Sequence, residues 1–428
     1  MLFKDITIID EEFNVREHCY VGTENDLIAY ISDKMPEKDF GRVYDGNGKL
    51  LMTGFYDVHA HTPMTLLRGY GENMNLQDWL FKKVFPFEDQ LTGESVYNAC
   101  MLSMAESLKF GIVSMSDMYY FMDDLAKAFI ESGVKGNISR SISHFDDSDF
   151  MSSFRADEMI DCYKKYNGAA DGRILVDMSL HSEYTTTPAS AKQLADYTKK
   201  IGTGMQVHVA ETESEFNECI ERHGKTPVKY LADLGIFDTP TTAAHCVWLT
   251  DEDFDILKEK NVTVAVNPIS NLKLSSGVCN VPELLKRGIN VAIGTDGVAS
   301  NNSLNFIEEM KVFALLSKMQ FKNPEVITPL ETIKAATVNG AVSQRRYDCG
   351  LLKEGYKADL IVLDINQPNM HPVHNMLNNI VYSACGGDIL MTMVDGKVLY
   401  ENGEYKTIDL EKVIFNVEKH TKDILGKL

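Results

Sequence analysis

Between residues 53 and 352 the chain alternates eight short apolar runs, typical of buried strands, with segments that have helical spacing. The runs end near Asp57–His59, Ser116–Asp117, Ser139–Arg140, His181, His208, His245, Asn267 and Asp296. Helical spacing is clearest in Glu94–Lys109, Ser190–Ile201 and Asp251–Lys260. Eight strand–helix alternations in series predict a (β/α)8 barrel of the TIM type, in which the ends of all the strands meet on one rim.

Both ends of the chain have a different sequence pattern, in which short strand-like runs are separated by turns. These runs are Thr7–Ile9, Asp26–Ile31, Arg42–Tyr44, Ala358–Asp364 and Met391–Tyr400. Asp395-Gly396 is a hairpin signal inside the last of them. We therefore expect residues 1–52 and 353–408 to form a small discontinuous β-sandwich domain, residues 53–352 the barrel, and residues 409–428 an amphipathic C-terminal helix.

Charge and composition limit the kind of partner. The chain has 42 basic and 62 acidic residues, a net charge of −20, which argues against binding to nucleic acid or to anionic membranes. The start of the sequence lacks a signal-peptide pattern, and no run of about 18 apolar residues occurs. The eight cysteines contain no C-x-x-C pair, as expected for reduced thiols. We expect a cytoplasmic protein with a small-molecule ligand, and homo-oligomerisation is left open.

Metal-ligating residue types stand at several of the predicted strand ends. His59 and His61 are separated by one residue, so on a strand both side chains point to the same side. A lone pair of this kind is weak evidence, but His208, His245 and Asp296 end other strands that converge on the same rim. Imidazoles together with a carboxylate suit a divalent ion of borderline softness. On its residue type alone, His245 is either a further ligand or a residue beside the metal.

Several motifs follow one another in the order of a known enzyme group. They are His59-Ala60-His61-Thr62-Pro63-Met64, Leu67-Arg68-Gly69, Leu76-Gln77-Asp78-Trp79-Leu80, His208-Val209-Ala210-Glu211-Thr212, Ala244-His245-Cys246, Asn267-Pro268-Ile269-Ser270-Asn271-Leu272-Lys273-Leu274 and Gly294-Thr295-Asp296-Gly297. In these residues the chain resembles the amidohydrolase superfamily, and within it the aminohydrolases that deaminate aromatic heterocycles. The resemblance extends to deaminases of adenine nucleosides. It implies hydrolysis of S-adenosylhomocysteine, methylthioadenosine, 5'-deoxyadenosine or adenosine to the inosine analogue and ammonia.

The resemblance also implies roles for the strand-end residues. One divalent ion, with Zn²⁺ preferred and Fe²⁺ as the alternative, is expected on His59, His61, His208 and Asp296. Such an ion lowers the pKa of a water molecule to roughly 7 and supplies a nucleophile at neutral pH. Catalytic roles fall to three residues: Glu211 as proton carrier, His245 as the group that orients the attacking water, and Asp296 as acceptor of its proton.

Contacts to substrate are implied for six residues. The ring system is expected to meet Trp79, His181 and Glu211, the ribose hydroxyls Glu88, and a distal amino-acid carboxylate Arg140 and Arg155. The chemistry agrees, because a carboxylate accepts hydrogen bonds from two hydroxyls and a guanidinium binds a carboxylate through two bonds.

Three alternatives compete with this hypothesis. The ring could be guanine, a pterin or an s-triazine, although a free base offers Glu88 no ribose diol. The barrel could be a non-catalytic scaffold, but a scaffold has no use for intact ligands and Glu211. A binuclear cyclic amidase needs a bridging lysine at the end of the fourth strand, and Arg173–His181 contains none.

Overall fold

The computed structural model describes residues 1–74, 76–146 and 148–428. Its strands are β1 Leu2–Ile9, β2 Val15–Glu24, β3 Leu27–Ser32, β4 Val43–Asp45, β5 Lys49–Thr53, β6 Phe55–His61, β7 Ile112–Tyr119, β8 Lys135–Ile142, β9 Ile174–Val176, β10 Met178–Leu180, β11 Met205–Val209, β12 Thr241–His245, β13 Thr263–Val266, β14 Val291–Ile293, β15 Asp296–Gly297, β16 Leu360–Asp364, β17 Ile389–Val394, β18 Lys397–Glu401 and β19 Glu404–Tyr405.

The α-helices lie mostly between the strands of the barrel. They are α1 Leu76–Trp79, α2 Phe85–Glu88, α3 Gly93–Lys109, α4 Met122–Ser132, α5 Phe154–Tyr166, α6 Pro188–Ile201, α7 Glu213–His223, α8 Pro227–Asp233, α9 Asp251–Glu259, α10 Pro268–Lys273, α11 Val281–Lys286, α12 Val298–Asn301, α13 Phe306–Gln320, α14 Pro329–Ala336, α15 Val338–Ser343, α16 Met376–Tyr382 and α17 Leu410–Leu425. The three predicted helices correspond to α3, α6 and α9 within two residues.

The central sheet is a closed parallel barrel. Its strands are ordered β14-β13-β12-β11-β10-β8-β7-β6-β15, with β9 also paired to β8. The eighth strand is divided: β14 pairs with β13, and two residues later β15 pairs with β6. This pairing closes the circle and confirms the predicted TIM-type fold.

Burial and capping explain why these segments form barrel elements. Every residue of β6, β7 and β8 is buried, as expected for parallel strands covered on both faces. The helices begin at threonine caps: Thr92 before α3, Thr187 before α6 and Thr250 before α9 each accept a hydrogen bond from a backbone N–H in the first turn. These threonine caps therefore set the residue at which each of the three helices begins.

A second sheet joins the two ends of the chain. Its order is β19-β18-β17-β16-β5-β1-β2-β3, with β4 also paired to β1. Strand β16 is antiparallel to both β5 and β17, which ties the C-terminal half to the N-terminal half. Asp395 and Gly396 adopt φ of 45° and 71° between β17 and β18, so the predicted hairpin turn is confirmed. The domain division at residues 52/53 and 352/353 remains our proposal.

Sequence patterns missed three strands of this sheet, β2, β5 and the two-residue β19. Strand β2 begins with four exposed residues, Val15–His18, that lack an apolar alternation, and β5 is short. The C-terminal helix α17 packs on α3, where Asn416 Nδ2 donates to Asn98 Oδ1 at 2.9 Å. Among the described residues, none of the helices has both the length and the apolar character needed to cross a membrane.

Candidate active site

The structure brings together His59 and His61 near the carboxyl end of β6, His208 near that of β11, and Asp296 at the start of β15. We call these four residues the ligand cluster. Asp296 Oδ1 lies 3.6 Å from His59 Nε2 and 3.3 Å from His61 Nε2. His208 Nε2 lies 3.3 Å from His61 Nε2. Four side chains that are distant in sequence therefore converge on one small volume, as the strand-end pattern predicts.

Hydrogen bonds behind the rings turn the coordinating nitrogens inward. His61 Nδ1 lies 2.7 Å from the Met118 carbonyl, and His208 Nδ1 lies 2.6 Å from the His181 carbonyl. A carbonyl only accepts, so Nδ1 carries the proton and Nε2 is left free to bind a metal. His59 Nε2 is buried and has no hydrogen-bond partner among the residues that the structure describes. An orphaned buried nitrogen within this set of donors fits a divalent cation.

Asp296 is held in place by hydroxyl and backbone donors. Ser270 and Ser300 donate to its Oδ2 at 2.6 and 3.3 Å, and the backbone N–H of Gly297 donates to Oδ1 at 2.7 Å. The backbone of Asp296 has a φ of 61°, a left-handed conformation that is costly for a residue with a side chain. The strand end is therefore shaped to present this carboxylate to the imidazoles.

The protonation states of the cluster agree with a metal site. Burial lowers the pKa of His59 to about 4 and that of His208 well below its usual range, so both rings are neutral. Burial lowers the pKa of His61, but the contact with Asp296, the negative charge of Asp296 and the Met118 carbonyl together outweigh it, and the pKa rises to about 9. Burial is likewise outweighed at Asp296, whose pKa lies well below its usual range because the imidazoles of His59, His61 and His245 face its carboxylate. Metal binding here would displace the proton of His61.

Glu211 lies beside the ligand cluster on the turn after β11. The carboxylate of Glu215, in the first turn of α7, accepts the backbone N–H groups of Ala210 and Glu211 at 2.9 and 2.8 Å. Ser276 Oγ donates to Glu211 Oε1 at 3.2 Å, and His245 Nε2 lies 3.8 Å from Glu211 Oε2. Burial raises the pKa of Glu211. The turn thus holds a buried carboxyl group in a position to exchange protons with a bound ligand.

His245 ends β12 in a left-handed conformation with a φ of 73°. Its Nδ1 lies 2.8 Å from Asn271 Oδ1, an interaction that leaves Nε2 as an acceptor. The ring centroid is 5.5 Å from those of both His59 and His208. The structure thus brings His245 next to the ligand cluster.

A cavity opens directly above the ligand cluster, and we call it the inner cavity. Its walls are mostly apolar and include Trp79, with His181 and Glu88 as polar members. Glu88 accepts a hydrogen bond from Tyr119 at 2.6 Å, and burial raises its pKa to about 7 although Tyr119 opposes that shift. A mostly apolar cavity with a few polar groups suits a small ligand.

Polar contacts fix one edge of the inner cavity. His181 Nδ1 lies 3.3 Å from Ser182 Oγ and 3.2 Å from Thr185 Oγ1, and its ring centroid is 4.9 Å from that of His208. Trp79 lies in a helical segment, Leu76–Glu88, that is interrupted by a π turn at Leu80–Val84. Such π turns occur frequently at functional sites.

Arg140 and Arg155 lie outside the inner cavity. They line an adjoining space, the outer chamber, which shares Phe85, Glu88, Tyr120 and Ser141 with the inner cavity. Arg140 Nε donates to Glu158 Oε2 at 2.6 Å, and its guanidinium lies 4.7 Å from the centre of the Tyr120 ring. The Arg155 guanidinium lies 4.8 Å from the centre of the Phe154 ring. The two arginines are therefore placed where only a distal part of a ligand could reach them.

Sequence reasoning missed several supporting residues. Glu215 and Ser270 lie close to or within quoted motifs, so a spacing of four residues after Glu211 or a hydroxyl near Asn267 could have marked them. Ser276 and Glu158 gave no such signal, because each meets its partner only through the packing of separate elements.

Comparisons with known proteins were made over the whole chain. The model of the amidohydrolase family matches residues 50–399. A 5-methylthioadenosine/S-adenosylhomocysteine deaminase of Caldanaerobacter subterraneus subsp. tengcongensis is 41% identical over 427 residues, covering 99% of this chain and 98% of that relative. A deaminase of the same name from Thermoanaerobacter pseudethanolicus is 40% identical over the full length of both. An adenosine deaminase from Xanthomonas campestris, solved with bound zinc, has a TM-score of 0.93 at 27% identity, covering 99% of this chain and 98% of that one.

Proposed function

The chain belongs to the amidohydrolase family, and we propose that it hydrolytically deaminates 5'-substituted adenine nucleosides to their inosine analogues and ammonia. The observation that carries this proposal is the ligand cluster with its orphaned His59 Nε2, at the floor of the inner cavity beside Glu211. The two relatives at 40–41% identity bear the name of deaminases of such nucleosides.

For the metal, we propose one divalent ion per chain, held by the four side chains of the ligand cluster. Zinc is the preferred ion because three imidazoles and a carboxylate suit it, and Fe²⁺ is the alternative. The similar Xanthomonas adenosine deaminase contains zinc. When bound, the ion acidifies a water molecule and so supplies the nucleophile at neutral pH.

Side chains of the protein then accept and donate the protons of the reaction. Asp296 accepts a proton from the attacking water through its carboxylate. Glu211 Oε2 gives a proton to the ring nitrogen next to the reacting carbon, and the leaving amine takes up the proton held by Asp296 and departs as ammonia. The hydroxyl group left on the carbon then returns its proton to Glu211 as the C=O bond forms. His245 Nε2, fixed by Asn271, accepts a hydrogen bond from the attacking water and thereby orients it. Water adds, ammonia leaves, and no redox change occurs.

The rest of the inner cavity is proposed to recognise the nucleoside. Trp79 packs against the ring system, and His181 meets the edge of the purine. Glu88, already oriented by Tyr119, accepts hydrogen bonds from the two ribose hydroxyls. The 5' substituent then extends into the outer chamber toward Arg140 and Arg155.

Ammonia release from a substrate panel tests this proposal. The panel contains adenosine, 5'-deoxyadenosine, methylthioadenosine, S-adenosylhomocysteine, free adenine, guanine, a pterin and an s-triazine. We expect the 5'-substituted nucleosides to have the highest kcat/KM. Higher turnover of guanine, the pterin or the triazine would assign the enzyme to another heterocycle, and no turnover of any compound would favour a scaffold.

A further inference from the structure

The outer chamber has an apolar mouth. Phe81, Phe145 and Phe154 line it, with side chains that are 54%, 65% and 66% exposed. Exposed aromatic rings grouped around one opening are uncommon on a soluble surface without a ligand to cover them. A substituent that leaves the inner cavity through the shared wall at Glu88 and Tyr120 must pass between these rings.

The cation nearest to that shared wall already has an anionic partner. Arg140 is only 6% exposed, and its Nε donates to Glu158 Oε2 at 2.6 Å. A terminal nitrogen of the same guanidinium donates to the Ser141 carbonyl, and its face lies over Tyr120. A ligand carboxylate that approaches Arg140 therefore meets a guanidinium that is already paired with one carboxylate. Two of its N–H donors are already engaged in hydrogen bonds.

Glu158 is itself fixed, so it does not simply swing away. It lies on α5, its side chain is 30% exposed, and its Oε1 accepts the backbone N–H of Met122 at the start of α4 at 3.2 Å. One oxygen is thus bound to the scaffold and the other to Arg140. Displacing Glu158 would leave a carboxylate that is largely out of water beside a second, incoming one, which is unfavourable.

We propose that Glu158 is a specificity-determining residue: by occupying Arg140 it makes the enzyme favour nucleosides with an uncharged, apolar 5' substituent over those whose substituent ends in a carboxylate. The inference rests on the proposed function, because it requires an adenine nucleoside in the inner cavity. The aromatic mouth acts in the same direction, since its rings favour an aliphatic thioether chain over a charged one.

A matched pair of substrates isolates the terminal charge. 5'-Deoxy-5'-(butylthio)adenosine and 5'-deoxy-5'-(3-carboxypropylthio)adenosine have chains of equal length and differ in whether the end is methyl or carboxylate. In the Glu158→Gln variant, the amide oxygen can still accept the Met122 N–H while the negative charge is gone. We expect the ratio of kcat/KM for the carboxylate over the butyl compound to rise about 5- to 50-fold, mainly through KM, as for a charged hydrogen bond at a partly solvated site.

Two further variants distinguish the effect of the ion pair between Glu158 and Arg140 from the effect of any negative charge in the outer chamber. Asp89→Asn removes another carboxylate that lines the outer chamber, and we expect it to change the ratio less than twofold. Adding Arg140→Met to Glu158→Gln should abolish the gain. An unchanged or lower ratio in Glu158→Gln, or an equal gain in Asp89→Asn, would overturn the inference. The proposed function would survive either result as long as the butyl compound is deaminated. If neither compound were deaminated, the proposed function would fail, and the inference would fail with it.

Discussion

Two buried polar clusters lie at opposite ends of the barrel. At the carboxyl ends of the strands, the ligand cluster sets imidazoles against one another: Nε2 of His61 and Nε2 of His208 are 3.3 Å apart, and Nε2 of His59 has no hydrogen-bond partner among the described residues. At the amino ends, Lys135 Nζ lies between the carboxylates of Asp359 and Asp395, the latter at 2.6 Å, and Tyr56 donates to Asp359 at 2.8 Å. We call Lys135, Asp359 and Asp395 the base cluster.

This difference in partners shows which of the two clusters finds all of its binding partners among the side chains of the protein. In the base cluster opposite charges meet, and they join the barrel to the second sheet, because Lys135 begins β8 while Asp359 precedes β16 and Asp395 forms the turn after β17. In the ligand cluster the inward nitrogens have no cation to bind within the chain. This matches the general division of such barrels into a functional carboxyl face and a stabilising amino face.

Removing the proton carrier should have the largest effect on activity and leave stability alone. Glu211→Gln keeps the size and hydrogen-bonding capacity of the side chain but carries no exchangeable acidic proton, so we expect kcat to fall about 10²- to 10⁴-fold. Ammonia release gives kcat, and thermal unfolding is the control. Near wild-type kcat would remove Glu211 from the mechanism, and a large fall in Tm would mean that it serves the fold instead.

Breaking the base cluster should give the opposite result. Lys135→Met leaves two buried carboxylates without their cation, so we expect unfolding to become easier by about 3–5 kcal/mol. Urea unfolding measures the loss, and metal content should stay unchanged. Adding Asp359→Asn removes one orphaned charge and should recover part of the stability. Wild-type stability in Lys135→Met would contradict the structural role of this cluster.

The two clusters also differ in how far the sequence predicts them. His59, His61, His208 and Asp296 stand out because each interrupts an apolar run at its end, and parallel strands of a barrel bring such ends together. Lys135 and Asp359 are 224 residues apart and carry no such signal. Their pairing depends on where two sheets meet, which apolar patterns do not encode.

The same limit applies within the site. The sequence identifies Arg140 as a candidate for binding a carboxylate, but its pairing with Glu158 depends on how α5 packs against β8. Likewise, the division of the eighth strand into β14, which pairs with β13, and β15, which pairs with β6, depends on how the barrel closes.

Glu88 is an intermediate case, buried and partnered by Tyr119 yet exposed to the inner cavity. If it accepts the ribose diol, a 2'-deoxy substrate leaves it short of one donor, which costs about 1–3 kcal/mol. We expect kcat/KM for 2'-deoxyadenosine to be about 5- to 150-fold below that for adenosine. In Glu88→Ala the two substrates should become nearly equal. Equal kcat/KM for the two substrates in the wild type would mean that Glu88 has a structural role and does not bind the ribose.

Lowering the pH should weaken the preference for adenosine over 2'-deoxyadenosine, and this is the smallest of the expected effects. Burial raises the pKa of Glu88 to about 7, so the carboxylate prevails above that pH and the protonated form, with fewer acceptor positions, below it. Between pH 8 and pH 6 we expect the adenosine preference to fall by up to about tenfold. Taking the ratio of the two substrates cancels titrations that affect both. A preference independent of pH would assign ribose recognition to another group.

The difference between the two clusters depends most directly on whether the ligand cluster holds a metal. The test is to measure the metal content of the purified chain, remove the metal with a chelator, and follow both folding and deamination of methylthioadenosine. We expect one divalent ion per chain, a chelated protein that stays folded but inactive, and recovery on addition of Zn²⁺ or Fe²⁺. Full turnover by the metal-free chain, or two ions per chain, would contradict the assignment of this cluster as a single metal centre.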